Sequence, residues 1–596
     1  MGMYSTMSKA FFRHSVSLTG LLLALLLSAC AGVQQSAESI ADPAELDSTV
    51  PEGPNYPARP FPTQTFYDLL VAEFAGNRGQ LAVSLDKYIA QANLTRDPGV
   101  AARAATVANY LNQQDALLSM STLWVELEPD NSDARRLALY ALANSGDLLT
   151  AFTHAEYLLE QDDGEPMRSL PAYGKDVSEQ LRSSLLERYR LAEAGYAKAT
   201  PGKSTARGDV DLLFGKILLL RQQEHLQEAL LEGRRLVTRA PEDEQSAILY
   251  TQLLYEDKQL DAAIKFVATA LKRNPDSKKL RLQQIRLVAE TDLTLARQYM
   301  STLAEQHRDD ANLQFALAGV NREQGLRAEA VQIYQDMIDH RQRTSDAHFQ
   351  LALMAEEDQR LEDALIHYNS VRQGRSFLPA AARLTQLLAQ QGQLPAAQMY
   401  LHNLRGENPE QAVRIYQIEA ELLMRERQYD AAFDLLGDAL AIYPGNIEIL
   451  YTRSLASEKR GDVGGAEQDL RAILAGDPNN AAALNALGYT LTNHTHRHAE
   501  AQQLIEQALK LNPNDAATID SLGWVLYRQG RHQEAVQHLR QAMTIVPDTE
   551  IAAHLGEVLW VSGNREEARQ VWAKALESDP NDPVLLEALQ RLGVEL

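Results

Sequence analysis

Residues 516–549 read AATIDSLGWVLYRQGRHQEAVQHLRQAMTIVPDT. Apolar side chains recur there at helical spacing in two runs, parted by Gly530. Ser521, Leu522, Val525 and Leu526 share the inward face of a first helix. Glu534, Ala535, Val536, Leu539, Ala542 and Met543 follow on a second. Gly530 suits the left-handed residue that ends the first helix. Pro547 closes the second, because proline cannot donate the helical hydrogen bond. The stretch therefore predicts one antiparallel helix pair. Residues 481–515 and 549–581 read the same way.

The pattern repeats outward from this stretch. Ala229, Ala263, Ala296, Ala330, Ala364, Ala397, Ala432, Ala466, Ala501, Ala535 and Ala568 follow one another at 33 to 35 residues. Pro241, Pro275, Pro409, Pro444, Pro478, Pro513, Pro547 and Pro580 each lie twelve residues after a register alanine. Gly325, Gly392, Gly461, Gly530 and Gly563 each precede one by five. Gly488, Gly523 and Gly556 stand near the start of their repeats. Tyr334, Tyr368, Leu470, Leu539 and Trp572 follow a register alanine by four, on the same helix face. A small residue where the second helix crosses the first permits close approach. The pattern loosens at 280–310 and at 342–376, where the unit ends in Gln373-Gly374-Arg375. Upstream, Val83, Leu117 and Ala151 keep a spacing of 34.

This pattern resembles the tetratricopeptide-repeat (TPR) family, whose unit is a 34-residue helix-turn-helix. The resemblance implies an all-α chain, with pairs stacked into a right-handed superhelix, an α-solenoid, whose concave groove is lined by first helices. The organisation expected is TPR-like repeats over 63–163, an irregular helical insert over 164–208 that could act as a hinge, about eleven units over 209–581, and a capping helix over 582–596. In the family, first-helix positions two, five, nine, twelve and thirteen face the groove. Carried over, they select Asn485, Tyr489 and Asn493, then Asp520, Trp524, Tyr527 and Arg528, then Glu557 and Trp560. Rings and amides suit peptide recognition. The Lys and Asn set of the carboxylate clamp is missing, so a chaperone C-terminal peptide is not the expected ligand.

The first 29 residues read as a signal peptide: Lys9, Arg13 and His14, then an apolar run from Val16 to Leu27 too short to span a bilayer. Leu27-Ser28-Ala29-Cys30 resembles the bacterial lipobox. That resemblance implies cleavage before Cys30, the one cysteine of the chain, and its lipidation, palmitate included. Residues 30–62 then read as the lipidated Cys and a tether, with Pro51, Pro54, Pro57, Pro60 and Pro62 favouring extended backbone. Ala31 in place of Asp points to the outer membrane, facing the periplasm.

The formal charge of −23 disfavours nucleic acid. Phosphate loops, a Gly-x-Ser-x-Gly elbow and a His-Glu-x-x-His pair are missing. No catalytic residue, cofactor or metal site is expected. His494, His496 and His498 read as an exposed turn, one residue longer than its neighbours. Lipobox, tether and more than ten repeats resemble the LbcA-type lipoproteins of pseudomonads. Those adaptors bind a carboxyl-terminal processing protease, promote its activity and deliver peptidoglycan hydrolases to it. The alternative is an assembly scaffold for an exopolysaccharide or pilus/secretion machine. Either way a binding protein, not an enzyme, is expected.

Overall fold

The computed structural model describes residues 62–174, 177–199 and 207–596. The signal peptide, Cys30 and almost all of the tether lie outside them. Among the described residues there are 31 α-helices, short 3-10 turns at Leu170–Gly174 and Pro409–Gln411, and no strand. Among them, too, no helix is long and apolar enough to cross a membrane.

Between Arg308 and Asp309 the chain divides into two compact units. The first opens with the pairs Thr63–Asn77/Leu81–Thr95, Pro98–Tyr110/Gln114–Leu127 and Ser132–Ser145/Leu148–Glu160. After Glu165–Ser169 and Glu179–Ala199 come Arg207–Gln222/Leu226–Arg239, Glu244–Glu256/Leu260–Arg273 and Lys278–Ala289/Leu293–Gln306. The second unit holds Ala311–Glu323/Arg327–Asp339, Thr344–Glu357/Leu361–Asn369, Phe377–Gln390/Leu394–Glu407 and Ala412–Arg425/Tyr429–Ile442. It continues with Ile447–Lys459/Val463–Gly476, Ala481–His494/His498–Leu511, Ala516–Arg528/His532–Ile545 and Thr549–Val561/Arg565–Ser578, and ends with Pro583–Leu592. Each pair from residue 207 onward thus contains one register alanine.

All the register alanines are buried, and the crossing of the two helices explains why. A Cβ at Gly523 would lie 2.7 Å from Leu539 Cγ and 3.2 Å from the Ala535 carbonyl oxygen. One at Gly488 would lie 2.5 Å from Ile505 Cγ1, and one at Gly556 would overlap the Trp572 indole. The first helix therefore meets the register alanine and the side chain one turn beyond it. Sizes at these two positions compensate. Gly556 faces Trp572, Ala318 and Ala352 are matched by Tyr334 and Tyr368, and Leu139 by Ala155, whereas Gly233 faces Tyr250 and Leu253 of the next pair. Filling the same volume from either side keeps the interior close-packed.

Except at Thr291 and His496, the residue five before the register alanine takes positive φ, as at Gly530 (82°) and Gly563 (92°). Glu224, Lys258, Gln359 and Arg427 adopt the same conformation near 60°. Next comes the entry to each first helix. Asp243, Ser277, Asn446, Asn480 and Asp515, each two residues after a repeat proline, accept a hydrogen bond from a first-turn backbone N–H. Each such cap contributes about 1 kcal/mol.

Three sequence expectations need adjustment. Val83 is 46% exposed, and the buried register residue of that pair is Ser84, at 1%. Ser84 is the fourth residue of its helix, like Leu117 and Ala151. A small serine satisfies the crossing, where Gly76 approaches it. The additional residue near His494 lengthens the first helix, not the turn. Ala481–His494 has 14 residues against 13 in Ala516–Arg528, and the turn is Thr495–Arg497. Finally, within 164–208 the described helices are packed into the core, which does not suit a loose hinge. Met167, Leu170, Leu185 and Tyr189 join one cluster with Leu159 and Leu213, and Tyr189 Oη donates to the Met167 carbonyl at 2.7 Å. At the C-terminus, Leu585 and Leu589 of Pro583–Leu592 pack into the core of the last pairs, as a cap would.

Two outcomes follow from the crossing and the turn. Gly556→Ala should lower stability by about 1–3 kcal/mol in chemical denaturation, and adding Trp572→Leu should recover part of it. Lys258→Gly, at an exposed left-handed site, should raise stability by about 0.5–1 kcal/mol.

Candidate protein-binding wall of the C-terminal repeats

The nine groove positions selected from the sequence fall on three successive first helices, Ala481–His494, Ala516–Arg528 and Thr549–Val561. Asn485, Asp520, Trp524 and Glu557 are buried; Tyr489, Asn493, Tyr527 and Trp560 are half-buried; Arg528 is exposed. Most of them are joined in one polar and aromatic network.

At its centre is His554, 4% exposed, whose Nδ1 lies 3.0 and 2.9 Å from the two carboxylate oxygens of Asp520. The imidazole stacks on Trp524, with centroids 4.3 Å apart and planes 22° apart. Trp524 Nε1 donates to Asn493 Oδ1 at 2.8 Å. Tyr489 Oη donates to Glu550 at 3.4 Å, and Tyr527 Oη to Glu557 at 3.2 Å. Arg591, on the terminal helix, pairs with the other oxygen of Glu557 at 2.5 Å. The network thus ties the last three first helices to the cap. Trp560 is set apart. It packs against Trp572 (5.8 Å), with the guanidinium groups of Arg565 and Arg569 5.0 and 5.6 Å from its ring centroid.

Three carboxylates, Asp520, Glu550 and Glu557, surround a single buried imidazole. Burial alone would lower the His554 pKa, but these charges and the Asp520 hydrogen bond outweigh it, so the pKa stands above the usual histidine value. Burial, with Glu557 beside it, pushes Tyr527 up to about 12. The Asn485 side-chain carbonyl is buried with no hydrogen-bond partner, a state that costs about 1–3 kcal/mol.

His554, Glu550 and Arg591 were missed by sequence reasoning. His554 follows Asp520 by 34 residues, but it sits one position off the groove register, so a positional rule passes over it. At the other histidine cluster, His494 Nε2 lies 3.2 Å from Glu458 and the rings of His496 and His498 are 6.3 Å apart. No three His, Cys, Asp or Glu side chains among the described residues are placed to hold one metal ion.

A pH dependence follows from His554. Its folded pKa is raised, so the stabilisation it supplies is complete below the unfolded value of about 6.5 and is lost as the pH climbs through the folded value. Thermal unfolding of the C-terminal pairs should show this decline between neutral and alkaline pH, and His554→Gln should remove that component.

Comparison with known proteins agrees with the helix-pair architecture. Tetratricopeptide-repeat family models match residues 479–548 and 526–592. TPR repeat-containing protein PA4667 of Pseudomonas aeruginosa is 36% identical over 544 residues, covering 91% of this chain and 90% of that one. Human tetratricopeptide repeat protein 7A is 24% identical over 61% of this chain and 40% of its own length. The crystal structure of yeast Tom70 is 16% identical and covers 88% of this chain and 99% of that one, at a TM-score of 0.32. With repeat models on its last units and a relative aligned along nine-tenths of both chains, the protein belongs to the tetratricopeptide-repeat family.

Proposed function

We propose that this chain is a lipid-anchored scaffold at the outer membrane, facing the periplasm. On this reading it recruits a carboxyl-terminal processing protease, promotes its activity and brings peptidoglycan hydrolases to it as substrates. Proteins of the family are in general non-enzymatic interaction scaffolds. The observation that carries the reading is the C-terminal wall. Tyr489, Trp524 and Tyr527 are held in fixed positions by hydrogen bonds and stacking, and Arg528 stands exposed beside them. The half-buried rings of Tyr489 and Tyr527, backed by the buried Trp524 and with an arginine at the edge, present binding area with little ordering cost.

The anchor rests on Leu27-Ser28-Ala29-Cys30, and the membrane on Ala31. The protease and hydrolase partners rest on the architectural resemblance to LbcA-type lipoproteins. The pseudomonad source of the relative matched along most of its length supports that resemblance.

Burial decides which substitutions can test the wall. Trp524→Ala would remove a buried ring and destabilise the last repeats by about 3 kcal/mol, which confuses binding with folding. Arg528→Glu alters an exposed group. With purified chain, protease and hydrolase, the chain should accelerate hydrolase cleavage, and Arg528→Glu should weaken the complex about tenfold while leaving the far-UV spectrum intact. A cleavage rate indifferent to the chain contradicts the adaptor role. Loss of labelled palmitate from Cys30→Ser, but not from the unsubstituted chain, tests the anchor.

A further inference from the structure

The pair Thr344–Glu357/Leu361–Asn369 departs from its neighbours. Its second helix has 9 residues, against 13 in Arg327–Asp339 and 14 in Leu394–Glu407. A shorter helix buries a shorter face, and here only Ala364 and Tyr368 of it are buried. Across this same pair, His348 on the first helix and His367 on the second bring their Nδ1 atoms to 3.0 Å. The ring centroids are 5.3 Å apart and the planes inclined by 42°. Both side chains are half-buried, so solvent and small ions reach them.

Two neutral imidazoles facing each other through Nδ1 share a single proton between two lone pairs. Burial lowers the pKa of both rings. His367 also lowers that of His348, while at His367 the opposing Asp363 and the reinforcing Arg360 act besides burial. An imidazole of ordinary pKa, about 6.5, is already mostly neutral at pH 7, the form that binds metals. Zinc–nitrogen bonds of about 2.0–2.1 Å in tetrahedral geometry set two ligand nitrogens about 3.3 Å apart. The observed gap needs to widen by about 0.3 Å, and each ring must turn about 35° so that both Nδ1 lone pairs converge on one tetrahedral ion.

We propose that His348 and His367 form a two-histidine site for a borderline divalent transition-metal ion such as Zn2+, which clips together the two helices of the pair with the shortest second helix. Each ring supplies Nδ1. The proton they share leaves that position and the donor ring takes the Nε2–H tautomer, so binding releases no net proton. Water fills the remaining coordination positions, since no third protein ligand is placed with the pair among the described residues. Imidazole suits zinc, copper and nickel, and two nitrogens with open positions favour moderate affinity over a closed structural site. Asp363, one turn before His367, is paired with Arg360 at 2.7 Å, which offsets the cation's repulsion from that arginine.

Zinc titration by calorimetry on the full chain tests this, with His496→Asn as the control for the other histidine cluster. One saturable equivalent is expected. It should weaken at least tenfold in His348→Asn and in His367→Asn, and stay unchanged in His496→Asn. Zinc should also raise the thermal midpoint of the unsubstituted chain but not of His348→Asn. If the asparagine variants fail to fold, pulsed electron paramagnetic resonance of the copper-loaded His496→Asn chain reads the ligands directly, and two imidazole nitrogens are expected. No saturable binding, binding that persists in both asparagine variants, binding lost with His496, or a copper signal with fewer than two imidazoles would overturn the proposal.

Discussion

One close crossing recurs through the molecule: a first helix laid against the register residue of the second and the side chain one turn beyond it. Everything else in a pair is arranged around that contact. The register position is small in every pair but one, the exception being Leu117, because the neighbouring helix comes close there. The left-handed residue five positions earlier turns the chain sharply enough to bring the helices together. The proline and the cap that follow release the chain into the next pair. Volume at the crossing is shared and not assigned to one side. That is why Gly556 tolerates a tryptophan opposite, and why Leu139 stands where most pairs have small residues. Dispersion and apolar burial supply the energy, at about 25 cal/mol per Å2 removed from water.

Ion pairs are plentiful, but they play a smaller part. Arg497 reaches Glu467 at 2.8 Å, Arg327 reaches Asp358 at 2.8 Å, and Arg96 reaches Glu126 at 2.5 Å. Each of these joins residues about one repeat apart on an exposed face, where a pair is worth about 0–1 kcal/mol. They help to fix neighbour register more than they stabilise the stack. The buried pairs differ in kind. Arg453 holds Asp469 with bonds of 2.8 and 2.6 Å, and His554 holds Asp520. Breaking one partner there leaves a buried charge unpaired. The C-terminal wall is therefore held by internal contacts that a substitution of Asp520 or His554 would break.

Much of the fold was legible in the sequence because its rules are local. A small residue, a turn residue and a proline each follow from a conformational demand within one pair, so the period from Ala229 to Ala568 identifies the pairs directly. The misplacements arose where two residue types satisfy one demand. Serine fits the crossing as alanine does, so Val83 stood in for Ser84. A helix can absorb an insertion as readily as a turn, so the additional residue near His494 was put in the wrong place. The wall was half legible. Its positions came from the family resemblance, and the structure brings them onto adjacent helices. What they do to one another was not readable. His554 stacks on Trp524 and His348 faces His367 through contacts between helices, and periodicity within one helix carries no information about those.

The shared volume at the crossing is the claim on which the account stands, and a double-substitution cycle at Leu139 and Ala155 tests it most directly. Leu139→Ala should leave a cavity and Ala155→Leu should overfill the site, each lowering stability in chemical denaturation. Combined, the two restore the original volume with the sizes exchanged. The double variant should then be more stable than the sum of the single losses implies, by about 1 kcal/mol or more. Strict additivity, or a double variant worse than the sum, would contradict the shared-volume rule.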